Sequence, residues 1–495
     1  MDNDPQQPAF DFLGAPANHG GAEVKRIDTH AAAVFLAGER VLKVKRAVRF
    51  PVLDYSTLEK RRAACEAEIE VNRRLAPQLY RGVVAITRGA DGKLAVGGDG
   101  EPVEYAVEMR RFDETKTLDH LAKEIDAGCA DALGRAVARA HAEAAPGSGF
   151  VEALDEIIAQ NEAELGGAPE LFAPAQVRAL TKATRAAYER VRALLLARER
   201  AGRVARCHGD LHLGNIVLID DKPVLFDAIE FNPKISTVDV FYDLAFLLMD
   251  LIERDLRPAA NIVFNRYLAD TRHESDLDAL AALPLFLSLR AAIRAKVKER
   301  APRDERAARD YFAFAERLLS PPAPRLIAIG GLSGTGKSLL ARELCAHILP
   351  EPGAVWLRSD TERKALAGVA ETERLPPAAY TREATAHVYE TLTAKAARVL
   401  AAGHSAVVDA VFADARERAA IAQAAGNAAF AGVFLTAPLD TRLARVGDRK
   451  GDASDATAEI ARQQEAYNLG RMDWRQVDAS GTPAQTLALA KAALK

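Results

Sequence analysis

The sequence predicts two different folds in one chain: a two-lobed α+β domain, then an α/β domain built on a parallel, doubly wound sheet. Three observations predict this. Strand-like segments broken by one helix fill residues 24–112, and a mostly helical pattern fills 113–319. Segments 325–495 alternate strand and helix, as a parallel sheet with crossover helices requires. At 495 residues, 49% of them hydrophobic and 27% charged, the chain has enough apolar side chains for more than one core.

Composition also excludes several classes. The formal charge of −3 provides no basic field to draw nucleic acid or a membrane surface. No apolar run approaches the ~18 residues of a transmembrane helix. The N-terminus has no basic segment followed by an apolar one, so it does not read as a signal peptide. Cys65, Cys129, Cys207 and Cys345 are far apart with no CxxC, which fits neither a disulfide framework nor a zinc site. The expectation is a cytoplasmic protein with no membrane or nucleic-acid partner.

Residues 1–23, polar and Pro-rich, read as a flexible tail. Strands are expected at 33–36 and 39–45; in the second, Val41, Lys43 and Lys45 share one face and Leu42 and Val44 the other. Residues 56–75 turn helical, with Leu58, Cys65, Ile69 and Leu75 near a 3.6 period. Strands at 83–87, 94–96 and 105–112 complete a small lobe, 24–112. The large lobe, 113–319, is helical apart from a strand pair around 216–227. Ser320-Pro-Pro-Ala-Pro324 resists both helix and sheet and reads as a linker. The second domain, 325–495, then contains RLIAIGG, AVWLRSD, SAVVDAVF and GVFLTAP, separated by helices.

Residues 331–338, GLSGTGKS, match G-x-x-x-x-G-K-[ST] in full, between a strand at 326–329 and a helix at 338–348. Gly331, Gly334 and Gly336 let backbone N–H groups curl around phosphate oxygens, Lys337 reaches the β- and γ-phosphates, and the Ser338 hydroxyl binds Mg²⁺. Asp409 closes an apolar strand, where it would hold Mg²⁺ or cap a following helix. Asp360 ends another strand, at the sheet edge that faces a ligand crevice; it would accept a hydroxyl proton or cap a helix. Arg442, Arg445 and Arg449 share one helical face, either solvated or part of a lid that brings charge to a transition state.

With GLSGTGKS, LRSDTERKALAG, VVDAVF and DTRLARVGDRKGDASDA, residues 325–495 resemble small P-loop kinases related to gluconate kinase, chloramphenicol phosphotransferase and polynucleotide kinase. The resemblance implies that Asp360 contacts the acceptor hydroxyl and that Arg445 and Arg449 belong to a lid over ATP. An oligomeric AAA-type ATPase motor has less support, because the segment leaves little room for a small helical domain and an arginine finger.

A second phosphate chemistry precedes it. Cys207-His-Gly-Asp-Leu-His-Leu-Gly-Asn215 fits H-x-D-x-x-x-x-N, with Asp210 placed to deprotonate an acceptor hydroxyl and Asn215 to hold Mg²⁺. Strands at 216–219 and 223–226, joined by a polar turn, deliver Asp227 as a second metal-binding carboxylate. His208 reads as a structural hydrogen-bonding residue. Lys43 is a candidate phosphate-binding lysine with Lys45 as the alternative; Glu68 is its candidate partner, in competition with Glu66 and Glu70. No glycine-rich loop precedes the lysine; Thr29-His-Ala-Ala-Ala33 stands there.

Across residues 24–318 these features resemble the aminoglycoside phosphotransferase family, a branch of the protein-kinase-like fold. CHGDLHLGNI, LFDAIEFNP and STVDVFYDLAFLLMDL resemble bacterial proteins in which such a domain is fused to a P-loop kinase. The resemblance implies that Asp239 and Asp243 support the catalytic loop. It also implies ATP and Mg²⁺ as cofactors and small hydroxyl-bearing molecules as acceptors. Together these features give an ATP-dependent phosphotransferase with two nucleotide sites. Two other classes stay open: a nucleotide-binding regulatory or ATPase switch, and an aminoglycoside-resistance kinase. Arg290, Arg294 and Lys298 form a row at i+4 steps, read as either a solvated face or the wall of a cleft for a neutral or anionic acceptor.

Overall fold

The computed structural model describes residues 5–50, 53–273, 275–300, 304–447 and 453–494, with the side chains of 299 and 300 left aside. The chain groups into two compact units, Met1–Ala159 with Leu196–Asp250, and Gln160–Leu195 with Leu251–Lys495. Among the described residues, no helix is long and apolar enough to cross a membrane.

The first unit is organised by a six-stranded antiparallel sheet. Its order is Val24–Asp28, Ala32–Ala37, Arg40–Lys45, Glu101–Arg110, Tyr80–Arg88 and Leu94–Val96. Residues on both faces of Arg40–Lys45 are buried, so both faces need a cover. Val41, Val107 and Met109 pack with Cys65 of the helix Leu58–Leu75, which Thr57 caps by accepting from the Lys60 N–H at 3.3 Å. Leu42, Val44, Phe35 and Ala106 form the opposite face.

That second face corrects the expectation of a flexible tail at 1–23. Residues Gln7–Gly14 form a helix whose Phe10 and Leu13 are buried against Phe35 and Leu42. Gln6 fastens it, donating to the Lys45 carbonyl at 2.8 Å and to Glu104 Oε2 at 2.7 Å. The apolar residues Phe10 and Leu13, three apart, are the face of a helix that only the exposed side of the sheet makes stable.

Below the sheet lie the hairpin Ile216–Ile219/Lys222–Leu225 and a short antiparallel pair, Val204–Arg206 with Thr237–Asp239. The hairpin turns on Asp220 and Asp221, both at positive φ, the tight two-residue geometry that matches strand twist. The second pair was not anticipated: its strands are three residues long, too short for a period-2 pattern.

The second unit carries a five-stranded sheet in the order Val355–Arg358, Ala406–Asp409, Arg325–Gly331, Ala429–Thr436, Arg475–Asp478. Every pairing is parallel, as the alternation of strand and helix implied. Ile327, Ile329, Val407, Val433 and Leu435 pack under the helices Lys337–Cys345 and Pro483–Ala493. The same unit includes the helices Arg257–Thr271, Leu283–Arg300 and Glu305–Leu318. Arg290, the first residue of the basic row on Leu283–Arg300, is only 3% exposed, which removes it from any solvated face.

Candidate active sites

In the first unit the site starts from strand Arg40–Lys45, whose alternation puts Lys43 and Lys45 on one side. Helix Leu58–Leu75 crosses that side and buries Glu68 completely. Lys43 Nζ lies 2.9 Å from Glu68 Oε1 and 2.6 Å from Asp227 Oδ1. Lys45 Nζ lies 2.5 Å from Glu68 Oε2 and also pairs with Glu230. Glu66, the competitor of Glu68, instead pairs with Arg62 on the exposed face.

Burial would depress the Lys43 ammonium, but Asp227 and Glu68 outweigh it and hold its pKa well above the ordinary lysine value. Burial would likewise raise Glu68, yet Lys43 and Lys45 bring it down to about 2. The two lysines differ in access. The Lys43 side chain keeps 17% exposure beside the half-open Asp227, whereas Lys45 is enclosed by Glu230 and the Tyr55 ring.

Asp227 has a left-handed φ of 61°, and its backbone is fixed rather than free. Its N–H donates to the Tyr80 hydroxyl at 3.1 Å. The next residue is held at both ends by Asn72, which accepts from the Ala228 N–H at 2.7 Å and donates to the Ala228 carbonyl at 3.1 Å. Neither Asn72 nor Tyr80 was singled out from sequence. Asn72 was findable, one helical turn beyond Glu68 on the buried face.

The catalytic-loop residues come together below. The Asn215 amide nitrogen donates to the Asp210 carbonyl at 2.9 Å and to Asp210 Oδ2 at 3.2 Å, which leaves its amide oxygen as the group for a cation. His212 Nδ1 accepts from the Gly214 N–H at 3.1 Å, so its proton sits on Nε2, 3.4 Å from Asp210 Oδ2. His208 is structural as expected: its Nε2 meets the Phe226 carbonyl at 2.9 Å, and burial lowers its pKa. Asp243 supports the loop, accepting from the His208 and Gly209 N–H groups at 3.2 and 2.8 Å. Asp239 departs from the role the resemblance implied. It pairs with buried Arg198 at 2.7 Å and accepts from the Phe241 N–H.

In the second unit the phosphate motif is a loop between strand Arg325–Gly331 and helix Lys337–Cys345. Helix Leu439–Gly447 presses on it so closely that a Cβ at Gly334, whose φ is 88°, would sit 2.5 Å from the Arg442 carbonyl oxygen. Lys337 Nζ donates to the Leu332 carbonyl of its own loop at 3.2 Å, and the Ser333 N–H donates to Gln464 at 2.7 Å. A cleft of about 340 Å³ opens beside the loop, lined by Gly334, Gly336, Ser338, Arg445, Pro483 and Leu487.

Asp409 ends its strand next to this loop, fully buried, with the Ser338 hydroxyl close enough to favour its charged form. Burial pushes its pKa above the ordinary carboxyl value despite Lys337 and Arg358 nearby. Its Oδ2 has no hydrogen-bond partner, and an unsatisfied carboxylate oxygen beside a P-loop serine suits a hard divalent cation. The capping alternative for Asp409 does not hold, because the next helix, Ala415–Ala424, is capped by Asp414. Asp360 is the second residue of helix Ser359–Leu366, one-third exposed, with Arg358 3.8 Å away.

The two described arginines of the row, Arg442 and Arg445, do different jobs. Arg442 is buried, bonded to the Ser333 carbonyl and paired with Glu465. Arg445 holds the Ala479 and Gly481 carbonyls at 2.8 and 2.9 Å at the rim of the cleft. Arg449 lies outside the described residues.

Two family models match the chain: phosphotransferase enzyme family over residues 37–283, and AAA domain over 326–469. The Mycobacterium tuberculosis (strain ATCC 25618 / H37Rv) protein Rv2004c is 30% identical over 503 residues, which cover 95% of this chain and 97% of that one. The chain belongs to this family of fused phosphotransferase and P-loop proteins. It is a kinase-type enzyme, and both domains belong to families that use ATP and typically Mg²⁺. Among solved structures, a choline/ethanolamine kinase family protein from Mesorhizobium loti is 16% identical with a TM-score of 0.40, covering 64% of this chain and 95% of its own. A gluconokinase from Sinorhizobium meliloti 1021 is 19% identical with a TM-score of 0.27, covering 34% and 91%.

Proposed function

We propose that this fused kinase holds two ATP·Mg²⁺ sites and that each transfers the γ-phosphoryl group to a hydroxyl of a small molecule. The observation that carries the reading is the meeting of Lys43 and Asp227, 184 residues apart, at 2.6 Å over buried Glu68. Such a cation–carboxylate pair at a half-open site is poised to exchange partners, the lysine for phosphate and the carboxylate for metal. In this reading Asp210 orients the acceptor hydroxyl and takes its proton, and Asn215 and Asp227 hold Mg²⁺. In the P-loop domain Lys337 binds phosphate, Ser338 and Asp409 hold the metal, Arg445 borders the nucleotide cleft, and Asp360 faces the acceptor. The metal supplies charge neutralisation between the β- and γ-phosphates when bound.

The test uses the full chain with γ-labelled ATP and a metabolite extract, with labelled products identified by mass spectrometry. The expected result is two separable product sets, one lost in Lys337→Ala and the other in Asp227→Ala. Phosphate release without any labelled acceptor would overturn the reading in favour of an ATPase switch. Labelling of an added aminoglycoside alone would make the first domain a resistance kinase.

A further inference from the structure

We propose that Lys45 is a positioning residue for the phosphate-binding lysine: it holds Glu68 from the protein side, so that Lys43 can leave Asp227 for phosphate while Glu68 stays charge-balanced. The proposal rests on the reading of the first unit as an ATP site. The juxtaposition behind it is a chain of five groups, Asp227–Lys43–Glu68–Lys45–Glu230, with the Tyr55 hydroxyl donating to Glu230 at 3.0 Å. One end of the chain is open, with the Asp227 side chain 44% exposed. The other end is closed, with Lys45 and Glu230 both under a tenth exposed.

The charges explain why two lysines are needed. Glu68 is wholly buried, and a buried carboxylate with no cation nearby is costly enough to draw a proton or recapture the nearest ammonium. If Lys43 were the sole partner of Glu68, its departure toward phosphate would strand that carboxylate. Lys45, 2.5 Å away on the other oxygen, removes the penalty. Glu230 and Tyr55 in turn keep Lys45 from following Lys43 outward. Glu230 lies three residues after Asp227, so the same anchor also ties the metal-bearing segment to the sheet, alongside the Asn72 and Tyr80 bonds.

The experiment uses the full chain in a Lys337→Ala background, which leaves the first site as the nucleotide site measured. Binding of a non-hydrolysable ATP analogue with Mg²⁺ is followed by calorimetry, and folding by thermal unfolding. A purely structural Lys45 would matter only as the counter-ion of Glu230, so Lys45→Met/Glu230→Gln, which removes both charges, would then bind as the parent does. The proposal expects this double variant to fold and to bind the analogue at least tenfold more weakly. Binding within twofold of the parent overturns it. Should the double variant fail to fold, Tyr55→Phe loosens the anchor alone; a twofold to fivefold loss of affinity supports the proposal and unchanged affinity overturns it. Lys43→Met separates the two ideas: if it too binds like the parent, the reading of this unit as an ATP site fails instead.

Discussion

In the P-loop unit eight consecutive residues, 331–338, form the proposed phosphate cradle; in the other unit the proposed site draws Lys43, Glu68 and Asp227 from a strand, a helix and the end of a hairpin. The first cradle is backbone, shaped by glycine and by the helix behind it, and its lysine rests on its own loop. The second is side-chain charge, in which each cation is already matched by carboxylates. The backbone cradle is therefore intolerant of added atoms, while the charge cradle is intolerant of lost ones.

The sharpest break of this comparison is at Gly334. An alanine Cβ there would stand 2.5 Å from the Arg442 carbonyl and 2.8 Å from Arg442 Cα, at a φ of 88° that L-residues avoid. Loop strain of about 3 kcal/mol is expected, seen as a loss of roughly 100-fold in ATP-analogue affinity at the P-loop site. The first site, measured in the same variant, should keep its affinity. The matching turn there, Thr29–Ala31, already carries Cβ atoms at every position, so no glycine is available to lose. Equal loss at both sites would break the comparison.

The same contrast explains what the sequence made legible. The P-loop motif is contiguous, so its strand, loop and helix were readable to within three residues at each end. Asp210, Asn215 and Asp227 were readable for the same reason, as one loop and one hairpin. Glu230 is not, because it acts through Lys45, 185 residues distant. The choice between Lys43 and Lys45 could not be made from alternation either, since both share the face and both reach Glu68. The helix Gln7–Gly14 is not legible in its own eight residues, because its stability comes from the sheet face it covers.

A smaller effect concerns acid. His404 is fully buried, with Nε2 at 2.9 Å from the Gly353 carbonyl and its ring edge-on to Phe264 at 5.7 Å. Burial lowers its pKa to about 4. The folded form therefore keeps the ring neutral, while the unfolded chain takes up a proton near its ordinary value of ~6.5. Stability from this group is fully present above pH 6.5 and is lost as pH falls toward 4. The expected loss between pH 7 and pH 5 is about 2 kcal/mol, concentrated in the P-loop sheet. Hydrogen exchange of peptides spanning 406–409 at the two pH values measures it, and His404→Gln should flatten the difference. Glu68 works in the opposite range: its lowered pKa means that the charge cradle loses its contribution only below about pH 4.5. An equal pH 7-to-5 softening in wild type and His404→Gln would show that other groups, His208 among them, govern the acid response.

The smallest effect tests how the two sheets treat their edges. In the first unit the outer strand Val24–Asp28 is largely exposed and carries Lys25, Arg26 and Asp28, charges that discourage further pairing. In the second unit the edge strand Val355–Arg358 is covered by helix Arg257–Thr271. Asn265 acts there as a substitute neighbouring strand: its Oδ1 accepts from the Trp356 N–H at 2.7 Å and its Nδ2 donates to the Ala354 carbonyl at 3.1 Å. Asn261 also donates to that carbonyl at 3.1 Å, so the strand loses only part of its support when Asn265 is removed. Asn265→Ala is therefore expected to cost about 1 kcal/mol. The loss should appear as faster amide exchange at Trp356 and its neighbours, with ATP-analogue affinity at the P-loop changed by less than about twofold, roughly 0.4 kcal/mol. This strand leads directly into Arg358 and Asp360, so that edge of the sheet is braced by a helix from within the phosphotransferase family match. If Trp356 exchange does not change, the amide pairing contributes nothing to the edge, and packing of the helix alone closes the sheet.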